Sequence, residues 1–251
     1  MLILLSPAKT LNFNCNVPKE ISTSIPDFTY EAWQLAEILK TYSAESLGKL
    51  MHISPKLSQL NYERFQNFSR NYTDINSKPA IYTYNGDVYE GINLETYTNE
   101  QLLFINKNLR ILSGMYGILK PFDLIQAYRL EMSTSLGNDK GKNLYQFWGD
   151  KITQALNAEA NEYIINLASQ EYSAAINLKK LKKPLINIIF KEKVQNEYKI
   201  IGIHAKKARG LMANFISTAL LDNPEHLKHF DVQQYRFSSD FSSSSEYVFV
   251  R

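Results

Sequence analysis

The chain has 251 residues, 44% of them hydrophobic and 21% charged, with 28 Lys/Arg against 25 Asp/Glu and a formal charge of +3. That is ordinary globular composition, rich enough for a sizeable core, and it excludes a disordered chain and a stapled mini-protein. The single cysteine, Cys15, excludes an internal disulfide framework and a cysteine-based metal cage, and no apolar run approaches the roughly 20 residues of a membrane span.

With no basic, apolar secretory signal at the start, a cytoplasmic location follows by elimination, with no membrane partner. Leu2–Leu5 reads as a buried strand stopped by Ser6-Pro7. Apolar residues at helical spacing make Tyr30–Lys40 a helix. Ser43–Met51 is a second helix with Ser43 as its N-cap, and Pro55–Phe68 a third, opened by Ser54 as N-cap with Pro55 in the first turn. Ala80–Tyr84 alternates like a strand and ends at the turn Asn85-Gly86. Asn99–Asn108 reads as a helix and Leu109–Leu112 as a strand. Leu144–Ala160 reads as one long helix with Trp148, Ile152 and Leu156 on a common face. Glu162–Leu167, Leu185–Phe190 and Tyr198–His204 read as strands, Lys206–Leu221 as a helix and Glu246–Val250 as a last strand. No repeat and no Pro/Gly/Ser linker divides the chain. Residues 1–251 therefore read as one mixed α/β (α+β) domain, a body of sheet strands flanked by helices.

Four of these strands end alike. Leu5 runs into Ser6-Pro-Ala-Lys9-Thr10, Leu112 into Ser113-Gly114, Ala168 into Ser169, and His204-Ala205 into Lys206-Lys207-Ala-Arg209-Gly210. In sheets with parallel strands, ligands gather where strands run out into loops and helix starts, and free N–H groups there favour anions. Serine hydroxyls and lysine ammonium groups add donors. The set suggests a shared phosphate site, although any one such serine also serves simply as a helix cap. Arg129, two residues before Glu131, either clamps a phosphate bidentately or forms a structural ion pair with Glu131 or Asp123.

Charge is distributed unevenly. Lys179–Arg209 carries ten Lys/Arg against Glu192 and Glu197, a net +8, which leaves −5 for the rest. Such asymmetry points to a polyanionic partner, or to a solvated basic face. A second basic feature lies at Leu47–Leu57, where two short amphipathic helices meet at Ile53–Lys56. A helix-hairpin-helix module takes nucleic-acid phosphates on hairpin N–H groups and a nearby lysine, here with Lys49, Ser54, Lys56, His52 and Arg64 at hand. The corner lacks the usual glycines and Pro55 removes a donor, so an ordinary helical corner is the competing reading. Four histidines are scattered. His226 and His229 stand three apart on a predicted helix with no Cys or carboxylate at ligand spacing, so no metal site and no cofactor is expected. There is no Gly-x-Ser-x-Gly, Gly-x-Gly-x-x-Gly or His-Glu-x-x-His motif, and an enzyme is the less favoured class.

Seven ordered blocks resemble one family, the YaaA peroxide-stress resistance proteins. They are Met1-Leu-Ile-Leu-Leu-Ser-Pro-Ala-Lys-Thr-Leu11, Gly86-Asp-Val-Tyr-Glu-Gly91, Leu112-Ser-Gly-Met-Tyr-Gly-Ile-Leu-Lys-Pro121, Tyr128-Arg-Leu-Glu-Met132, Leu144-Tyr-Gln-Phe-Trp-Gly-Asp150, Asn166-Leu-Ala-Ser169 and Ala205-Lys-Lys-Ala-Arg-Gly-Leu-Met212. The resemblance implies a family-specific fold with a helix-hairpin-helix element. It also implies a cytoplasmic DNA-binding protein with a basic cleft that limits damage where peroxide meets iron. Carried onto this chain, the hairpin is Ile53–Lys56 and the cleft is lined by Lys9, Lys206, Lys207 and Arg209, with Lys179–Lys183 at its flank. Contact with DNA would be to the backbone and independent of sequence. The rival reading is an enzyme acting on a nucleotide or phosphorylated small molecule, with Ser6, Lys9, Asp87, Ser113, Tyr116, Tyr128, Arg129, Ser169, Lys206 and Arg209 in one pocket. A long open groove would favour DNA and a closed polar pocket a small substrate.

Overall fold

The computed structural model describes residues 1–251. In chain order its elements are β1 (Leu2–Leu5), β2 (Thr10–Leu11), α1 (Thr29–Lys40), α2 (Ala44–Met51), α3 (Pro55–Gln66), β3 (Ser77–Pro79), α4 (Ala80–Thr83), β4 (Tyr84–Asn85), α5 (Asp87–Glu90), α6 (Asn99–Asn108) and β5 (Leu109–Ser113). There follow β6 (Gly117–Leu119), β7 (Leu124–Gln126), α7 (Leu144–Trp148), α8 (Lys151–Ala158), β8 (Ile164–Asn166), α9 (Gln170–Ser173), β9 (Leu185–Val194), β10 (Glu197–Lys199), α10 (Gly202–Thr218), β11 (Arg236–Phe237) and β12 (Glu246–Val250).

The main sheet has eight strands in the order β11-β12-β9-β8-β1-β5-β6, with β10 paired to β9. Its middle, β12-β9-β8-β1-β5, is parallel, and β11, β6 and β10 join antiparallel. This is the mixed α/β architecture read from the sequence. β1 is apolar and buried at every position, as a strand covered on both faces must be. It sits at the centre, with Ile3 opposite Leu109 on one side and Ile165 on the other. The buried apolar residues form one contiguous cluster that reaches from β1 to Phe249.

Three sequence expectations are corrected. Ala80–Tyr84 is not a strand: Ala80–Thr83 is one helical turn and only Tyr84–Asn85 is extended, paired with Thr10–Leu11. Over five residues a period of two cannot be told from a short helical turn. Leu144–Ala160 is two helices, α7 and α8, because Gly149 takes φ +49° and ψ −122° between them, a backbone conformation open to glycine that ends a helix. Tyr198–His204 is strand only to Lys199, and α10 begins already at Gly202. The run of β-branched and aromatic residues there outweighed a weak helical start.

Ser43 caps α2 as read, accepting the Ser46 N–H at 3.2 Å. Ser43→Ala should cost about 1 kcal/mol in urea unfolding, and an unchanged midpoint would show that the cap contributes nothing.

Candidate functional site

The connections leave β1 and β8 in opposite directions along the sheet. From β1 the chain moves toward β5, and from β8 it moves toward β9. The two strands are neighbours and parallel, so their carboxyl ends flank a topological switch point, where open α/β sheets hold ligands. A pocket of about 250 Å³ opens there. Its walls come from Ser6–Thr10 after β1, Leu167–Tyr172 after β8, the Asn85–Tyr89 turn, and Lys206 and Arg209 of α10.

The strand-end loops are tied to each other. The Ser169 N–H donates to the Ser6 hydroxyl at 2.8 Å, and the Ser6 hydroxyl donates to Ser169 Oγ at 3.2 Å. The buried Tyr89 hydroxyl donates to the Ser6 carbonyl at 2.9 Å, which fixes the Asn85–Tyr89 turn against β1. The turn is locked on its other side by glycine. A Cβ on Gly210 would come within 2.8 Å of the Val88 carbonyl carbon and closer still to its oxygen, and one on Gly91 would meet the Gly210 backbone at 2.8 Å. Only two glycines let α5 and α10 approach this closely.

Helical geometry decides which basic residues of α10 enter the pocket. Lys206 and Arg209 are three apart and share a face, whereas Lys207 is turned about 100° away and lies outside the lining. All three lie inside α10, beyond its first turn, so the expectation that a strand end and a helix start meet at Lys206 is corrected. The early start at Gly202 makes them side-chain cations on a helix wall rather than companions of free N–H groups. Arg209 is half-buried, its Nε has no hydrogen-bond partner, and no acid lies near enough to pair with it. Burial alone pulls its pKa below the usual guanidinium value.

Of the other singled-out residues, Lys9 lines the pocket and also reaches Glu131 at 3.1 Å. Arg129 is outside the lining and pairs with the same carboxylate at 2.9 Å, the structural ion pair of the two readings. Ser113 is at the same sheet end, on β5 beside β1, but is completely buried. Its hydroxyl accepts the N–H groups of Met115 (3.2 Å) and Tyr116 (3.0 Å) and shares a hydrogen bond with Tyr128 at 2.7 Å. Tyr128 in turn meets the Tyr84 hydroxyl at 2.6 Å, and burial pushes the Tyr128 phenol up to about 12. These residues, with Tyr116, are the pocket's hydrogen-bonded backing and do not line it.

Lys49, Ser54 and Lys56 are elsewhere, at the corner between α2 and α3. The helix pair is present, turning through His52 at φ 52°. Lys49 is bound to Glu45 at 2.6 Å, the Leu57 N–H is directed at the Ser54 hydroxyl at 3.5 Å, and Pro55 has no N–H, so the corner offers fewer free donors than a glycine hairpin. The Lys179–Lys183 run is divided. Lys180 pairs with Asp150 at 2.5 Å, and Lys183 donates to the Leu156 carbonyl at 3.0 Å, closing the last turn of α8. The net +8 of that segment is therefore not one continuous surface. His226 and His229 lie on a 3-10 turn, not an α-helix, with rings 6.4 Å apart. No helix is long and apolar enough to cross a membrane.

Sequence reasoning missed Asn85, Glu171 and Tyr172 as pocket residues. Glu171 stands two residues past the strand-end Ser169, and that spacing was the available signal.

All four segments that build the pocket lie within a region shared with known proteins. The family described as Peroxide stress protein YaaA matches residues 1–241. A UPF0246 protein of Acaryochloris marina is 48% identical over 100% of both chains. UPF0246 proteins of Saccharophagus degradans and a Marinomonas species are 46% and 45% identical, covering 100% of this chain and 99% and 97% of theirs. With end-to-end similarity of this order, the chain belongs to the peroxide stress protein YaaA (UPF0246) family.

Proposed function

We propose that this peroxide-stress protein is a cytoplasmic DNA-binding protein that grips backbone phosphate at the β1/β8 pocket and its rim. The observation that carries the reading is Arg209, a half-buried guanidinium with an unpartnered Nε and no acid to neutralise it. An uncompensated buried cation is costly, so a site that keeps one is built for an anion. Lys206 and Lys9 stand in the same lining, Lys207 is exposed beside them, and Ser6 and Ser169 add hydroxyls. Lys56, exposed at the α2–α3 corner, is a further backbone contact in this reading, with Lys49 and Ser54 next to it. Bound lysine and arginine displace the condensed cations of DNA. Ferrous iron is such a cation, and its displacement would keep peroxide chemistry away from the strand.

Duplex DNA titrated at several salt concentrations into wild type and a Lys206/Lys207/Arg209 triple alanine variant tests this. The variant should bind unrelated sequences equally weakly, and its log–log salt slope should fall by about one unit per lost phosphate contact. Equal affinity and slope in two folded proteins would place the DNA surface elsewhere.

A second reading, an enzyme acting on a nucleotide or phosphorylated small molecule, is favoured by one observation. The pocket is compact and carries two carboxylates, Asp87 and Glu171, which a backbone-gripping surface does not need.

A further inference from the structure

Two acids and three bases line one pocket of about 250 Å³. Lys9 is held by Glu131, outside the lining. Asp87 is half-buried and takes part in no ion pair, and neither does Arg209 or Lys206. Glu171 is engaged through one oxygen only, which accepts the Ser133 N–H at 3.2 Å and the Ser133 hydroxyl at 2.7 Å. Opposite charges left free to approach would pair. The elements bearing Asp87 and Arg209 pack backbone to backbone through Gly210 and Gly91, yet the two side chains form no ion pair. The pocket thus carries both signs of charge, cations from α10 and the loop after β1 and carboxylates from the Asn85–Tyr89 turn and α9.

A phosphodiester alone does not explain this. Its oxygens accept hydrogen bonds and carry negative charge, so Asp87 and Glu171 would repel it. The matching ligand carries both an anionic group and hydrogen-bond donors. The rest of the lining includes the apolar Pro7, Val88 and Leu167 and the Tyr172 ring. The volume lies just under the ~300 Å³ at which pockets begin to take drug-sized ligands, too large for a lone phosphate and too small for a dinucleotide. We infer that this pocket holds one nucleotide unit, its phosphate on Arg209 and Lys206 and its sugar hydroxyl or base amino groups on Asp87 and Glu171. The inference rests on the reading of the same pocket as a phosphate site. The unit comes either as a free mononucleotide or as an unpaired nucleotide within DNA.

The test measures binding of deoxyadenosine 5′-monophosphate, deoxyribose 5-phosphate, deoxyadenosine and inorganic phosphate by calorimetry. The proteins are wild type, Arg209→Ala and Asp87→Asn, each checked for an unchanged unfolding temperature. Wild type should bind the mononucleotide tightest. Arg209→Ala should lose about tenfold or more for every phosphate-bearing probe. Asp87→Asn should lose a similar factor for the mononucleotide while binding inorganic phosphate as well as wild type or better, since it removes a like charge. Duplex DNA with and without a one-nucleotide unpaired bulge separates the sources. An Asp87-dependent preference for the bulge assigns the DNA-borne nucleotide, and mononucleotide binding without that preference assigns the free one. If inorganic phosphate and the mononucleotide bind alike and Asp87→Asn changes nothing, the pocket is a phosphate site only and the inference is overturned. That result leaves the DNA reading standing, because DNA binding through Lys206, Lys207 and Arg209 is measured separately by its salt slope.

Discussion

Replacing Gly210 with alanine should destabilise the protein by about 3 kcal/mol, lowering the unfolding temperature by roughly 6 to 12 °C for a chain of this size. Helix propensity alone predicts the opposite sign, since alanine in a helix interior is favoured over glycine by about 1 kcal/mol. Packing decides. The added Cβ would press on the Val88 carbonyl, and the crowding atoms are backbone on both sides, so no flexible side chain is free to move away. Gly91 meets the Gly210 backbone from the other direction, which blocks a compensating slide of α5 along α10. Gly137 is the control, with nothing within 4 Å of a Cβ built there. Gly137→Ala should leave stability nearly unchanged. A Gly210→Ala protein as stable as wild type would mean that the two elements are free to separate and that this contact does not hold the pocket wall rigid.

Glu159→Ala should be similarly damaging, costing about 3 kcal/mol in urea unfolding without affecting ligand binding by the folded protein. Arg110 on β5 has a side chain only 7% exposed and meets Glu159 with two parallel bonds, Nε to Oε1 at 2.6 Å and Nη2 to Oε2 at 3.0 Å. Its remaining donor, Nη1, is committed to the carbonyls of Leu109 at 2.6 Å and Asn106 at 3.1 Å. Removal of the carboxylate strands a buried guanidinium that cannot turn to water without breaking those bonds. The Glu159 side chain is 22% exposed, so water offsets part of the loss. A double variant, Arg110→Met with Glu159→Leu, should recover most of the stability, since an apolar pair leaves no charge unpaired. Glu159→Ala as stable as wild type would show that the pair contributes nothing to holding the end of α8 on the sheet.

The mixed α/β body was legible because β1 is a short, uniformly apolar run and the β5 and β8 segments are mostly apolar, each ended by serine or followed by it within three residues. Strands buried on both faces leave that signature. The same serines marked one end of the sheet, and Ser6 and Ser169 do meet there. What the sequence did not display was depth. Nothing local distinguishes Ser113, wholly buried behind the pocket, from Ser6 at its wall, because the difference lies in Tyr128 and Tyr84 arriving from distant segments. Nor did it display where α10 begins. Tyr198 to Ile203 has strand composition, and the tertiary packing of Ala205 and Ala208 against the core makes the helix start early. The pairing of Lys180 and Lys183 with α8 was hidden for the same reason, and a charge run that looked like one surface is partly spent on internal contacts.

The most direct test of the account is a crystal structure of the protein with deoxyadenosine 5′-monophosphate. The expected result is the phosphate between the Arg209 guanidinium and Lys206, with Asp87 facing the nucleoside. A nucleotide seated away from the β1/β8 pocket, or Arg209 closed onto Asp87 with the pocket collapsed, would contradict it.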